Sequence, residues 1–185
     1  TAFSASPWFR GAGLDLQYIA EQGGTLTQQL AVALASVVAY FDFLEQSGSE
    51  VSKEQLVENL AVTFAVGTSF PLEIAKLRAF RMLFVQLLDS YKIEAAGEKL
   101  PFIRSRISPW HYANYDPHNN LLRATTAAMA AIIGGTQALS IPPFDILQTG
   151  GTTTSARLAR NIQHLLTHES YLDRVTDPAG GSFYI

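Results

Sequence analysis

Arg104 and Arg106 stand two residues apart in the stretch FIRSRIS. On a strand that spacing aims both side chains at the same face. Two guanidinium groups side by side are suited to oxyanions, phosphate or carboxylate, through paired hydrogen bonds. With Ser105 and Ser108 as neighbours, the face reads either as a polar lumen holding two cations or as an exposed edge. If it is a lumen, the arginines need an anion, from a protein carboxylate or a ligand phosphate, because an unpaired buried charge is costly.

The segment PLEIAKLRAFRMLFVQLL is the most regularly patterned in the chain. At helical spacing Glu73 meets Lys76 and Leu77, and Arg78 and Arg81 form a basic step at i, i+3. An ion-paired helix face accounts for this better than an anion site does. Of the four histidines, His164 and His168 have metal-competent i, i+4 spacing. The string between them, HLLTH, contains no acid and there is no third ligand in view, so they read as surface residues where a helix C-terminus favours positive charge. No metal site is expected. Gly11-Ala12-Gly13 and Gly180-Gly181 read as turns, since neither opens a phosphate-binding fingerprint. Spacing alone picks out neither a Ser-His-Asp arrangement nor a catalytic carboxylate pair.

The 185 residues are 48% hydrophobic and 16% charged, with a formal net charge of -3, which suits one globular unit with a substantial core. Mild acidity without a lysine or arginine cluster argues against a nucleic-acid partner. The lack of cysteine excludes disulfides, thiolate metal sites and a cysteine nucleophile. The longest apolar run, Leu30 to Phe43, is broken by Ser36 and Asp42 and falls short of the roughly 20 residues of a membrane span. Thr1 starts without the basic region of a secretory leader, and the chain stops abruptly at Tyr184-Ile185. A cytoplasmic protein, or an excised piece of one, is expected.

Four strand–helix units account for the order of patterns. TAFSAS (1–6) is the first expected strand, followed by loop and helix from Gly11 to about Gln22. Gly23-Gly24-Thr25 caps a long helix to about Gln46, and a short helix precedes the second strand, NLAVTFAVG (59–67). Ser69 and Pro71 open a helix to about Lys92. The third strand is PFIRSRIS (101–108), and Asn119 or Asn120 caps a helix from Leu121 to Ile133. The fourth strand lies in GGTQALSIPPFD, after which Thr152 to Ser155 cap a helix from Ala156 to about His168 and VTDPAGGSFYI leaves as an extended tail. Such repetition makes a parallel α/β sheet, either half of an eight-stranded barrel or an open doubly wound sheet. In the barrel, Ser4, Ser6, Thr63, Ser105, Ser108, Thr136 and Ser140 would give a small, hydroxyl-rich lumen able to pass a long flexible ligand.

Five motifs occur in sequence order: EIAKLRAFRML (73–83), DPHNNLLR (116–123), GGTQAL (134–139), SARLARNIQHLL (155–166) and DRVTDPAGGSFYI (173–185). Together they resemble the substrate-binding barrel of the methylmalonyl-CoA mutase family, adenosylcobalamin-dependent carbon-skeleton isomerases. The resemblance implies that residues 1–185 are the C-terminal half of a (β/α)8 TIM-type barrel threaded by the pantetheine arm of an acyl-CoA. The cobalamin-binding domain of the family lies further C-terminal and is absent from this chain.

Aligned on these motifs, the family's site residues are replaced. Where catalytic members carry GYHMQEAGAT this chain has LQYIAEQGGT, so the active-site Tyr-His becomes Gln17-Tyr18. RLSFFWG becomes NLAVTFAVG, placing Asn59 at the arginine and Ala61 at the CoA-contacting serine. RTHSQTSG becomes FIRSRISP, putting Arg104 and Arg106 where a histidine and a glutamine face CoA and the corrin. GGTQSLHTNALDE becomes GGTQALSIPPFDI, with Ala138 at the serine and Ile146 at the glutamate that meets the cofactor ribose. The turn and helix-packing motifs remain. This pattern resembles the non-catalytic small subunit of the heterodimeric mutases, with no catalytic residue and no cofactor of its own, paired with a catalytic large subunit. Arg104 and Arg106 are the candidate acyl-CoA-binding residues, for a divergent mutase or an acyl-CoA-binding regulatory module.

Overall fold

The computed structural model describes residues 10–93 and 100–185; the expected strand at 1–6 lies outside the described residues. The elements are β1 (Ala12–Asp15), α1 (Gln17–Glu21), α2 (Leu26–Ser47), α3 (Lys53–Glu58), β2 (Leu60–Val66) and α4 (Phe70–Ser90). They continue as β3 (Phe102–Ile107), α5 (Asn119–Ile133), β4 (Ala138–Ser140), α6 (Ile146–Thr149) and α7 (Thr153–His168). The strands form one sheet in the order β1-β2-β3-β4, and β1 on β2 and β3 on β4 pair in parallel. Consecutive order decides between the two expected architectures. A doubly wound sheet reverses its strand order at a switch point, whereas a (β/α) barrel adds each strand beside the last.

The sequence accounts for the element boundaries. Thr25 closes a capping box with Gln28 at the start of α2, and Gly48 ends that helix in the left-handed conformation. Ser52 with Gln55 and Thr152 with Ser155 repeat the device on α3 and α7. In length and composition α2 is sufficient to cross a membrane, which the broken apolar run does not suggest. Its Ala33, Val37 and Phe41 are fully buried, while most of the rest of the helix is not.

Several boundaries correct the reading of the sequence. Ala12 and Gly13 are strand residues, and β1 pairs along Leu60 to Thr63 where a loop was expected. The alternation of small and apolar side chains in AGLD was too short to signal a strand. α5 begins at Asn119, and neither asparagine makes the expected cap, since His118 occupies that position without a side-chain bond. α7 starts at Thr153. The C-terminal stretch is a series of turns rather than an extended tail.

Two compact units divide the described residues, one drawn from Thr1–Phe64 and Ala79–Ile103, the other from Ala65–Arg78 and Arg104–Ile185. The first is packed by aromatics. Phe64 and Phe80 meet edge to face at 4.9 Å, as do Phe41 and Tyr91, contacts worth about 1 kcal/mol each beyond their burial. The second is packed by small residues. Ala124, Ala127, Ala128 and Ala131 of α5 lie in one cluster with Val66, Ile107, Ala159, Ile162 and Leu166. Side chains this short let backbones approach closely. A Cβ on Gly134 would lie 2.7 Å from Leu77 Cδ1.

Candidate functional site

In the first unit, β1 presents Gly13 and Asp15 outward, in register with Ala61 and Thr63 of β2. The Asp15 carboxylate accepts from the Gln17 amide at 2.9 Å and so turns the chain into α1. Gln17 is nearly buried; its amide nitrogen donates to the Glu21 carboxylate, and its Oε1 has no hydrogen-bond partner among the described residues. Tyr18 is 68% exposed. Asn59 ends α3, its Nδ2 donating to the Gln55 carbonyl at 2.8 Å, so it does the work of a turn. Ala61 stands beside Gly13 with no polar atom to offer.

In the second unit, β3 alternates cleanly. Ile103, Ser105 and Ile107 are buried, and Arg104 and Arg106 are exposed on the other face. This corrects the expectation for Ser105, which is fully buried with an unpartnered Oγ rather than lining a lumen. Across the ladder Arg104 faces Ala138 and Arg106 faces Ser140. The structure thus brings three of the singled-out residues, Arg104, Arg106 and Ala138, onto adjacent strand positions. Ile146 starts α6 and packs against the apolar cluster, away from any polar role.

Beyond β2 lies a group whose roles the sequence only half revealed. The Gly67 amide donates to Glu73 Oε1 at 2.7 Å, and Glu73 Oε2 pairs with Lys76 Nζ at 2.6 Å. Lys76 Nζ also donates to the Ala65 carbonyl. Both side chains are buried, so this pair is internal and not the solvated helix face expected from the pattern. Burial pushes the Lys76 ammonium below its ordinary pKa, and the Glu73 charge opposes that shift. The exposed ring of His111 closes over the same turn, with Nε2 2.7 Å from where a Gly67 Cβ would sit. Arg78, by contrast, reaches Asp177 at 3.0 Å and the Ala179 carbonyl at 3.4 Å, so it holds the C-terminal turns.

Asn120, expected from the sequence only as a possible helix cap, has a larger role. Fully buried, it accepts from the Ala113 amide and from Arg123 Nη1, each at 2.9 Å. It donates to the carbonyls of Ala113 at 3.0 Å and Phe144 at 2.9 Å. One side chain thus ties the loop after β3 to the loop after β4. The signal was its phase: Asn120, Ala124, Ala127 and Ala131 share one helical face, so Asn120 continues a buried stripe. Next to this clamp, hydrogen bonds from Ser155 and Thr152 hold the Asp145 carboxyl below the usual range. Burial raises the Tyr112 phenol to about 12, with its hydroxyl 3.5 Å from the Pro142 carbonyl.

His164 and His168 stack at 5.8 Å on α7, and no group of three possible metal-ligating His, Cys, Asp or Glu side chains gathers among the described residues.

Consecutive parallel strands joined through helices define a segment of a (β/α) barrel. The sequence model described as methylmalonyl-CoA mutase matches residues 5–185, and the chain belongs to that family. It is 35% identical over 179 residues to "Methylmalonyl-CoA mutase" of Rhizobium meliloti, covering 97% of this chain and 25% of the relative. It is 34% identical over 180 residues to "Methylmalonyl-CoA mutase small subunit" of Porphyromonas gingivalis, covering 97% and 29%. The mitochondrial methylmalonyl-CoA mutase of Homo sapiens is 33% identical over 179 residues, covering 96% and 24%. The chain thus spans about a quarter of the length of the curated relatives it matches.

Proposed function

We propose that this chain is the C-terminal half of the acyl-CoA barrel of a mutase small subunit, which supports a catalytic large subunit without performing the isomerisation itself. On this reading the large subunit interconverts methylmalonyl-CoA and succinyl-CoA, and the two form a heterodimer. The observation that carries the proposal is Ile146. At the position where the resemblance implies a ribose-binding glutamate, an apolar side chain packs against the core cluster. Adenosylcobalamin therefore does not fit these residues. Ile146 has no acceptor, and two arginines without ion-pair partners among the described residues stand at corrin-facing positions.

Scaffold residues tell the other half of the story. Asn120, Gly134 and the Thr152–Ser155 capping box hold loops and helices in place, and Asn120, Gly134 and Ser155 lie in the motifs that carry the resemblance. A divergent, active acyl-CoA mutase is the second reading, favoured by the nearly equal identity to an undivided mutase and to a small subunit.

Association tests the proposal. The full-length protein, mixed with a catalytic mutase subunit from the same source, is expected to sediment as a one-to-one complex. Two components that sediment independently across micromolar concentrations would overturn it.

A further inference from the structure

We propose that His164 and His168 form a two-histidine chelate on α7 for a late first-row divalent cation, Cu2+, Ni2+ or Zn2+. The site is independent of isomerisation and of the scaffold role. Spacing of i, i+4 places both side chains on one face of the helix, one turn apart. That face is open: both histidines are exposed, on the side opposite the buried Ser155, Ala159, Ile162 and Leu166. The rings are parallel within 12°, with centroids 5.8 Å apart. Metal–nitrogen bonds of about 2.0 Å put two imidazoles on adjacent coordination positions with ring centres roughly 4.5 to 5 Å apart. Small side-chain rotations close that gap without moving the helix.

The ring nitrogens are available. Neither ring has a hydrogen-bond or ion-pair partner among the described residues, so a cation displaces only water. HLLTH supplies no third protein ligand, and a chelate of two needs none, because water completes the coordination shell. Ligand type decides the metal. Two imidazoles without a carboxylate favour Cu2+ over Ni2+ and Zn2+, and offer Mg2+ no oxygen to hold. Arg157 and Arg160 are exposed on the same helix, where solvent and salt screen their repulsion of a cation. The site also spans the last turn of α7, where the carbonyl end of the helix attracts positive charge. A bound ion staples that turn to the one before it. The same turn anchors the chain that follows, since the Leu165 and Leu166 carbonyls accept from the Glu169, Ser170 and Leu172 amides.

Titration calorimetry of the full-length protein with Cu2+, Zn2+ and Mg2+, in a non-chelating buffer, tests this. One equivalent of Cu2+ is expected at this site with a dissociation constant of about 1 to 100 µM, Zn2+ binding about tenfold more weakly and Mg2+ not at all. His164→Gln and His168→Gln are each expected to weaken that equivalent about tenfold or more, while His118→Gln, an exposed histidine outside α7, leaves it intact. Leu165→His combined with His168→Gln keeps the number of histidines but not the spacing, and is expected to lose the site, since adjacent residues do not share a face. Cu2+ binding unaltered by both single substitutions, or kept by the double variant, would overturn the proposal. So would Mg2+ displacing Cu2+ at equal concentration. Hydrogen exchange gives a second readout: Cu2+ is expected to slow the amides of 168–172 about tenfold in the unsubstituted protein and in neither single variant. Exchange indifferent to Cu2+ in the unsubstituted protein would overturn it as well.

Discussion

Replacing Asn120 by alanine isolates the clamp between the loops after β3 and β4. The side chain makes two bonds to Ala113, one to Phe144 and one to Arg123, at 2.9 to 3.0 Å, and is fully buried. The three backbone partners lose bonds worth about 1 kcal/mol each; the partly buried Arg123 guanidinium turns to solvent. Asn120→Ala should therefore lower the unfolding free energy by about 3 kcal/mol. For a chain of this size that is a fall in Tm of roughly 6 to 12 °C. Asn119→Ala is the control. Its side chain is exposed and donates only to Asp116 at 2.6 Å, so the expected loss is under about 0.5 kcal/mol. Urea unfolding followed by circular dichroism measures both through the midpoint at constant slope. A loss below about 1 kcal/mol for Asn120→Ala, or equal losses for the two variants, would refute the clamp and restore the ordinary helix cap.

Three further outcomes follow from the same geometry. Gly67→Ala places a methyl 2.7 Å from His111 Nε2 and 3.2 Å from Glu73 Oε1; because the exposed imidazole can swing away, thermal melts should show a loss near 1 kcal/mol, recovered in a His111→Ala background. The Tyr112 phenol, raised to about 12, keeps its proton in the fold while the unfolded chain releases it near 10, so stability is lost as pH rises from 10 to 12, and Tyr112→Phe should flatten that part of the profile. Arg78→Ala frees Asp177 and the Ala179 carbonyl; hydrogen exchange of residues 173–185 should accelerate with a global stability change below about 1 kcal/mol, and unchanged exchange would contradict the anchoring role.

Helices were legible because their signals are local. Thr25, Ser52 and Thr152 each announce a start, and the long apolar periodicities of α2, α4 and α7 announce length. The strand β1 was not, since four residues are too few for alternation to rise above chance, whereas β4 lies within the expected GGTQALSIPPFD. The alternation of β3 placed both arginines on one face and Ser105 on the other, but it could not say which of the two is buried. The site was least legible where it depends on contacts far apart in the chain. Glu73 with Lys76 has the spacing of a surface pair, and only the carbonyl of Ala65 and the amide of Gly67 make it an internal one. Asn120 is the same case, its partners lying up to 24 residues away.

The most direct test of the central claim is turnover. The full-length protein alone, supplied with adenosylcobalamin and methylmalonyl-CoA, is assayed for succinyl-CoA, and again after addition of a catalytic mutase subunit. The account predicts no product from the protein alone and product once the catalytic subunit is present. Turnover by the protein alone, abolished by Tyr18→Phe, would contradict it and establish an active, divergent mutase.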